Sequence, residues 1–300
     1  MRCQSRPAFS LIELTVVIGL VGVLVGLLLP AVQEVRGAAA RLSCLNNLKQ
    51  IGVGLHHFHD ANGHFPGWPM VNGADPNPNL GWMALILPYV EQDDLYRVSV
   101  QACQRDPNPL HNPPHVGLAT VLRLYVCPAD SRLLTPLDDK SDRHPVNAAF
   151  TSYIGNGGAV RLGANRSLPG IFGEIRGCRL SQITDGTGQT IMVGERPPPD
   201  SHQAGWWYPG WWELQDVRGP NNFIVFGAGR FFLKDPCNVG VAFGPGRTDN
   251  PCDRYHVWSL HQGGANFLFA DGSARFLPYS AASLIIPLAT RSGGETFELP

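Results

Sequence analysis

From Leu14 to Val32 the chain runs nineteen residues without a charge, and the residue just before that run is Glu13. A helix needs ~20 apolar residues to cross the hydrocarbon core of a bilayer. This stretch therefore constrains the chain more than any other: it must be solvated by lipid or hidden by protein. A carboxylate at membrane depth costs roughly 2.5–3.5 kcal/mol on insertion scales, so Glu13 reads as a functional acid rather than a tolerated one. Ahead of it, residues 1–8 are short and basic, with Arg2, Arg6 and no acid. Such a leader sets the orientation, positive end in the cytoplasm. The apolar run exceeds the ~7–15 residues of a cleaved secretory signal.

Beyond Pro30, Val32, Val35, Ala38, Leu42 and Leu45 recur at helical spacing, and Leu48, Ile51, Leu55 and Phe58 do so again after a shift. That stripe predicts an amphipathic continuation whose apolar face lies on a globular head. A helix from Ser10 to Phe58 would be roughly 75 Å long. Gly52, Gly54 and the pair Asn62-Gly63 are expected to weaken its end. His56, His57, His59 and His64 cluster there and read as surface or packing residues.

Net charge is −1, from 23 basic and 24 acidic side chains, which leaves no electrostatic footprint for nucleic acid. The 34 glycines and 26 prolines predict a loop-rich head. Of seven cysteines, Cys3 lies in the leader. The remaining Cys44, Cys103, Cys127, Cys178, Cys237 and Cys252 allow up to three disulfides outside a reducing compartment. Cys237 and Cys252 bracket a loop whose closure would be worth roughly 3 kcal/mol. No two cysteines have CxxC spacing, which argues against zinc.

Within the head, Trp82–Tyr96 predicts a buried helix interrupted at Pro88, with loop over 101–115. Thr190–Val193 predicts a strand after the Asp185-Gly186 turn. That Asp/Gly/Thr loop could offer oxygens to Ca²⁺, although it lacks the acids of an EF-hand loop. Trp206, Trp207, Trp211 and Trp212 form a candidate ligand surface, with local core as the plainer reading. Asp271-Gly272 between two alternating apolar runs is a strong hairpin signal. Pairing Ala270 with Ser273 would put Phe267, Phe269, Ala274 and Phe276 on one face. His261 and Asp271 form a candidate motif pair. No GxSxG, HExxH or metal-spaced histidine set is present, so no enzyme activity, catalytic residue or cofactor is expected.

The segment Ala8-Phe9-Ser10-Leu11-Ile12-Glu13 resembles the prepilin-type leader of type IV pilins and type II secretion pseudopilins, with Ala8 where those leaders usually carry Gly. The resemblance implies cleavage by a prepilin peptidase between Ala8 and Phe9, and methylation of the new Phe9 amine. It implies that Glu13 pairs with the Phe9 amine of a neighbouring subunit, which would relieve the cost of a lone buried charge. His261, nine residues, then Asp271-Gly272 resembles a prepilin-associated C-terminal domain. With Cys44-Leu45-Asn46-Asn47-Leu48-Lys49-Gln50, Cys127-Pro128, Ser181–Glu195 and Arg291–Glu295, nearly the whole chain resembles the bacterial family catalogued as domain of unknown function 1559.

The expectation is an α+β, pilin-like fold. Residues 1–8 are a leader, 9–60 a transmembrane and spine helix, and 61–300 a head with an antiparallel sheet and long loops. The implied function is that of a structural pilin-like envelope subunit. It would sit in the inner membrane with its head in the periplasm or at the cell surface. Its partners would be the prepilin peptidase and other pilin-like subunits. The alternative is a membrane-tethered module that binds glycan or protein through the Trp-rich loop.

Overall fold

A computed structural model describes residues 11–67, 79–138, 146–160, 167–174, 176–202, 204–210, 213–214, 217–218, 223–226, 237 and 242–294. In chain order its elements are α1 (Leu11–Asn62), α2 (Trp82–Leu85), α3 (Asp93–Arg105), β1 (Leu137–Asp138), β2 (Asn147–Ala148), β3 (Tyr153–Val160), β4 (Ser167–Pro169), β5 (Ile191–Glu195), β6 (Glu213–Leu214), β7 (Val217–Arg218), β8 (Phe223–Phe226), β9 (Gly264–Phe269), β10 (Ala274–Pro278) and α4 (Ile285–Ala289). The fold is α+β, as expected.

Helix α1 is continuous through Pro30 and spans 52 residues, roughly 78 Å at 1.5 Å per residue. It ends where Asn62-Gly63 predicts. Gly63 takes φ +79°, and its N–H donates to the His59 carbonyl at 2.7 Å, a left-handed C-terminal cap that glycine adopts without steric cost. Gly52 and Gly54 do not weaken the helix. They are points of close approach: a Cβ on Gly52 would lie 2.8 Å from Leu268 Cδ1, and one on Gly54 would lie 2.7 Å from Val90 Cγ1.

Contact with the head begins near Arg41, later than the stripe predicts. Cys44, Leu48, Ile51, Gly52, Gly54 and Leu55 are buried, whereas Val35 and Leu42 are 68% and 63% exposed. The expected Val32–Leu42 part of the stripe therefore finds no cover among the described residues. Pro88 does break the next helical region, into α2 and a 3₁₀ turn at Leu87–Tyr89. Asp93–Arg105 then forms α3, so a helix occupies the start of the segment expected to be loop from residue 101.

The main sheet has the order β10-β9-β5-β3-β4, and neighbours along it are antiparallel. Strand β8 departs from that pattern, pairing with β3 in parallel. The β9–β10 hairpin forms, but one residue out of the expected register. Ala274 pairs with Leu268, and Phe276 with Asn266. Gly272, at φ +81°, donates to the Phe269 carbonyl, and Phe269 N–H donates to the Ser273 carbonyl. The turn thus carries one residue more than a two-residue loop would.

With a side-chain period of two, that single slip exchanges the faces. Leu268 and Ala274 join the core on the α1 side, while Phe267 and Phe269 join a second core with Ile285 and Leu288 of α4. Both faces of the sheet are buried, which is why every residue of β9 is enclosed. A disulfide joins Cys237 and Cys252, as their bracketing positions predict.

Candidate functional site

The sequence-predicted residues scatter. Ala8, Phe9, Trp211 and Trp212 lie outside the described residues. Glu13 sits in the first turn of α1, on an exposed part of the helix. Trp206 and Trp207 are core, only 2% and 0% exposed, so they form no ligand-facing surface. Bridges from Leu80 to Pro209 and from Phe150 to Trp206 hold this loop against the head. Trp207 Nε1–H donates to the Thr120 carbonyl at 2.9 Å, and the Tyr208 hydroxyl meets His115 Nδ1 at 2.9 Å.

His261 and Asp271 are not brought together, because β9 lies between them and carries them to its opposite ends. The Asp271 carboxylate accepts from Ser273 N–H at 2.8 Å and from Arg275 Nη2 at 3.2 Å, a brace for the hairpin turn. Asp185, in the loop weighed for Ca²⁺, accepts from Gly293 N–H at 2.6 Å and Gly294 N–H at 3.0 Å. It thereby anchors the closing segment. His56 and His59 pack their rings against Phe65.

His261 instead joins a cluster that sequence spacing does not disclose. Cys44, Cys127, Glu195 and His261 place their ligand-type atoms within 4.8 Å of one another. Four separate parts of the chain supply them. Cys44 is the first fully buried residue of α1. Cys127 follows a 3₁₀ turn at Arg123–Tyr125, and its N–H donates to Ser152 Oγ at 2.9 Å. Glu195 closes β5. His261 precedes β9, its N–H donating to Ser259 Oγ at 2.9 Å, while Ser259 Oγ–H donates to the Gly264 carbonyl at 2.7 Å.

One atom, His261 Nε2, is central. It lies 3.4 Å from Cys127 Sγ and 3.3 Å from Glu195 Oε1. The carboxylate is fixed from behind by Asn266, whose backbone N–H reaches Oε2 at 2.7 Å and whose Nδ2 reaches Oε1 at 2.9 Å. Cys44 donates its S–H toward the Cys127 sulfur and accepts from the Tyr153 hydroxyl. That hydroxyl in turn accepts from Asn47 Nδ2 at 3.2 Å. Exposure is 0% for Cys44, 3% for Cys127, 1% for Glu195 and 7% for His261.

These contacts set the charge states. The hydrogen bond from Cys44 pulls the Cys127 thiol down to about 6, against burial, with His261 helping. Burial alone would lower His261, but its bonds to Cys127 and Glu195 raise it to about 9. The Cys44 thiol is pushed up, first by donating to Cys127 and then by burial.

A thiolate, an imidazole and a carboxylate can serve as a nucleophile with its base and orienting group, or as a ligand set for a cation. Enclosure of Cys127 leaves its sulfur no open side toward a substrate, so attack on an external carbonyl is poorly served here. Absence of CxxC spacing could not reveal this arrangement, because its four members come from a helix, a loop, a strand end and a pre-strand turn. The sequence signal that could have found them is that each opens, closes or sits in one of the segments carrying the family resemblance.

No curated protein and no solved structure matches the chain. A family model, described as "Protein of unknown function (DUF1559)", matches residues 33–283, from the middle of α1 to the 3₁₀ turn that follows β10. The chain belongs to that family.

Proposed function

We propose that this chain is a structural, pilin-like envelope subunit, anchored by the first half of α1 and assembled side by side with its own kind or with related subunits. The observation that carries the reading is the division of one unbroken helix. Its apolar first half, long enough to cross a membrane, is wholly uncovered, and its last third is built into the core of the head. An anchor that continues without a hinge into a folded domain transmits position from the membrane to the head, as a filament subunit requires.

The bare ridge of Val32, Val35 and Leu42 supports this. It starts at the last residue of the charge-free run and lies off the head, where helices of neighbouring subunits would cover it. Glu13, in the first turn of the helix, is the acid that would meet a neighbour's Phe9 amine. Burial of Trp206 and Trp207 takes two of the four tryptophans away from the glycan-binding alternative. In this reading the head lies in the periplasm or at the cell surface, the prepilin peptidase is the processing partner, and the chain itself is no enzyme.

Mass spectrometry of the mature amino terminus, on protein from the native host, tests the proposal. N-methyl-Phe9 with Cys3 absent is expected. A mature chain beginning at Met1 or at Arg41 contradicts it. Glu13→Leu is expected to reduce co-assembly with wild-type copies while leaving membrane insertion intact. Unchanged co-assembly would reduce α1 to a tether.

A further inference from the structure

We propose that Cys44, Cys127, Glu195 and His261 form a closed structural site for one zinc ion, and that this ion fastens α1 to the head. Zinc takes thiolate sulfur at about 2.3 Å and imidazole nitrogen or carboxylate oxygen at about 2.0–2.2 Å, usually as a tetrahedron. Those bond lengths place neighbouring ligand atoms roughly 3.3–3.8 Å apart. His261 Nε2 stands 3.4 Å from Cys127 Sγ and 3.3 Å from Glu195 Oε1, at tetrahedral separations already. All four ligand atoms fall within 4.8 Å, so a single ion can reach each after small adjustments.

Three further observations favour a cation. Two sulfurs, a nitrogen and a carboxylate form a mixed soft and borderline set that suits zinc and does not suit Ca²⁺ or Mg²⁺, which take oxygen. Partners outside the set hold the ligands as a metal site requires: Asn266 grips both carboxylate oxygens, and Tyr153 addresses Cys44. The fold also treats its cysteines differently, since Cys237 and Cys252 are joined whereas Cys44 and Cys127 stand as separate thiols in contact. Burial of all four residues leaves no open coordination position, so the ion is structural rather than catalytic.

The consequence is mechanical. Cys44 sits where α1 enters the head, while the other three ligands come from the loop after Tyr125, from the end of β5 and from the turn before β9. One ion would tie the spine to the central strands at that entry point. This inference does not depend on the membrane reading, because the site lies wholly within the head and the docked part of α1.

The test uses the full-length protein purified in detergent without chelator. Metal analysis is expected to return ~1 zinc per chain, either as isolated or after incubation with Zn²⁺. Replacement by Co²⁺ should give thiolate-to-cobalt charge transfer and the strong visible bands of a tetrahedral sulfur-ligated centre. Cys127→Ser and His261→Gln should weaken those bands at least tenfold, and Cys178→Ser should leave them unchanged. If the ligand variants fail to fold, the wild-type cobalt spectrum decides alone. No metal uptake by the wild-type chain overturns the proposal, and so does recovery of Cys44 and Cys127 as a disulfide peptide from protein isolated without added oxidant. Bands of an octahedral, oxygen-ligated centre overturn it as well.

Discussion

The two ends of α1 obey different rules although they belong to one helix. Between Leu11 and Leu29 every large apolar side chain is at least half exposed in the isolated chain. From Cys44 to Leu55 the apolar residues Cys44, Leu48, Ile51 and Leu55 are all at 0% exposure. The first region is apolar on all sides, a pattern that suits lipid. The second is apolar on one side, with Lys49 and Gln50 turned to solvent on the other, where Val53 is the exposed apolar exception. The contrast teaches that helix length follows from local backbone bonding, while what each part costs or contributes depends on what surrounds it.

Truncation breaks or sharpens that contrast most strongly. Ile51→Ala removes packing from the core and is expected to destabilise the head by about 2–5 kcal/mol. Leu20→Ala should leave head stability within about 0.5 kcal/mol. Denaturant unfolding of the full chain in mild detergent, followed by tryptophan fluorescence, compares the two. Equal losses would show that the halves are not distinct.

Glycines give the next largest effect. Gly52→Ala forces a Cβ to within 2.8 Å of the fully buried Leu268 side chain and should cost about 1–3 kcal/mol. Gly22→Ala meets nothing within 4 Å and should raise helix stability by up to about 1 kcal/mol, read as increased helical ellipticity in detergent. A smaller loss is expected from Asn47→Ala, about 1 kcal/mol by the same unfolding measurement. Asn47 Nδ2 bridges α1 to the Val126 carbonyl and to Tyr153 at 3.2 Å each.

The smallest effect is the part of the pH dependence that belongs to the docked end. Burial lowers the His56 pKa, helped by His59, while Asp60, the Ala270 backbone and Asp271 oppose it. Its folded value is depressed, so the folded state favours the neutral ring. The contribution is fully present above the unfolded value of ~6.5 and is lost as pH falls toward the folded value. Stability of the head should therefore decline on acidification below ~6.5, and His56→Gln should flatten part of that decline.

Much of this was legible in the residues themselves. The charge-free run, the Asn62-Gly63 stop, the Pro88 break, the Cys237–Cys252 bridge and the Asp271-Gly272 turn each rest on short-range chemistry. The errors came where short-range rules leave a choice. Asp-Gly fixes a turn but not its number of residues, and one extra residue moved Phe267 and Phe269 to the α4 side of the sheet. Hydrophobic spacing identifies a stripe but not its cover, so Val35 and Leu42 remain bare. The four-residue cluster was hidden for the same reason. Every member sits in a segment carrying the family resemblance, yet only the packing of α1 on β9, β10 and the turn at Arg123–Tyr125 brings them into one place.

The division of α1 between lipid and head is tested most directly by a depth profile in a bilayer. A spin label carried on an unnatural amino acid leaves the cysteines untouched and can be placed in turn at Leu20, Val35 and Val53 of the full chain. The account predicts that Leu20 is reached by oxygen from the hydrocarbon and shielded from a water-soluble relaxing agent. Val35 and Val53 should show the reverse. A water-exposed label at Leu20, or one immobilised and shielded from both agents as in a protein core, would contradict it.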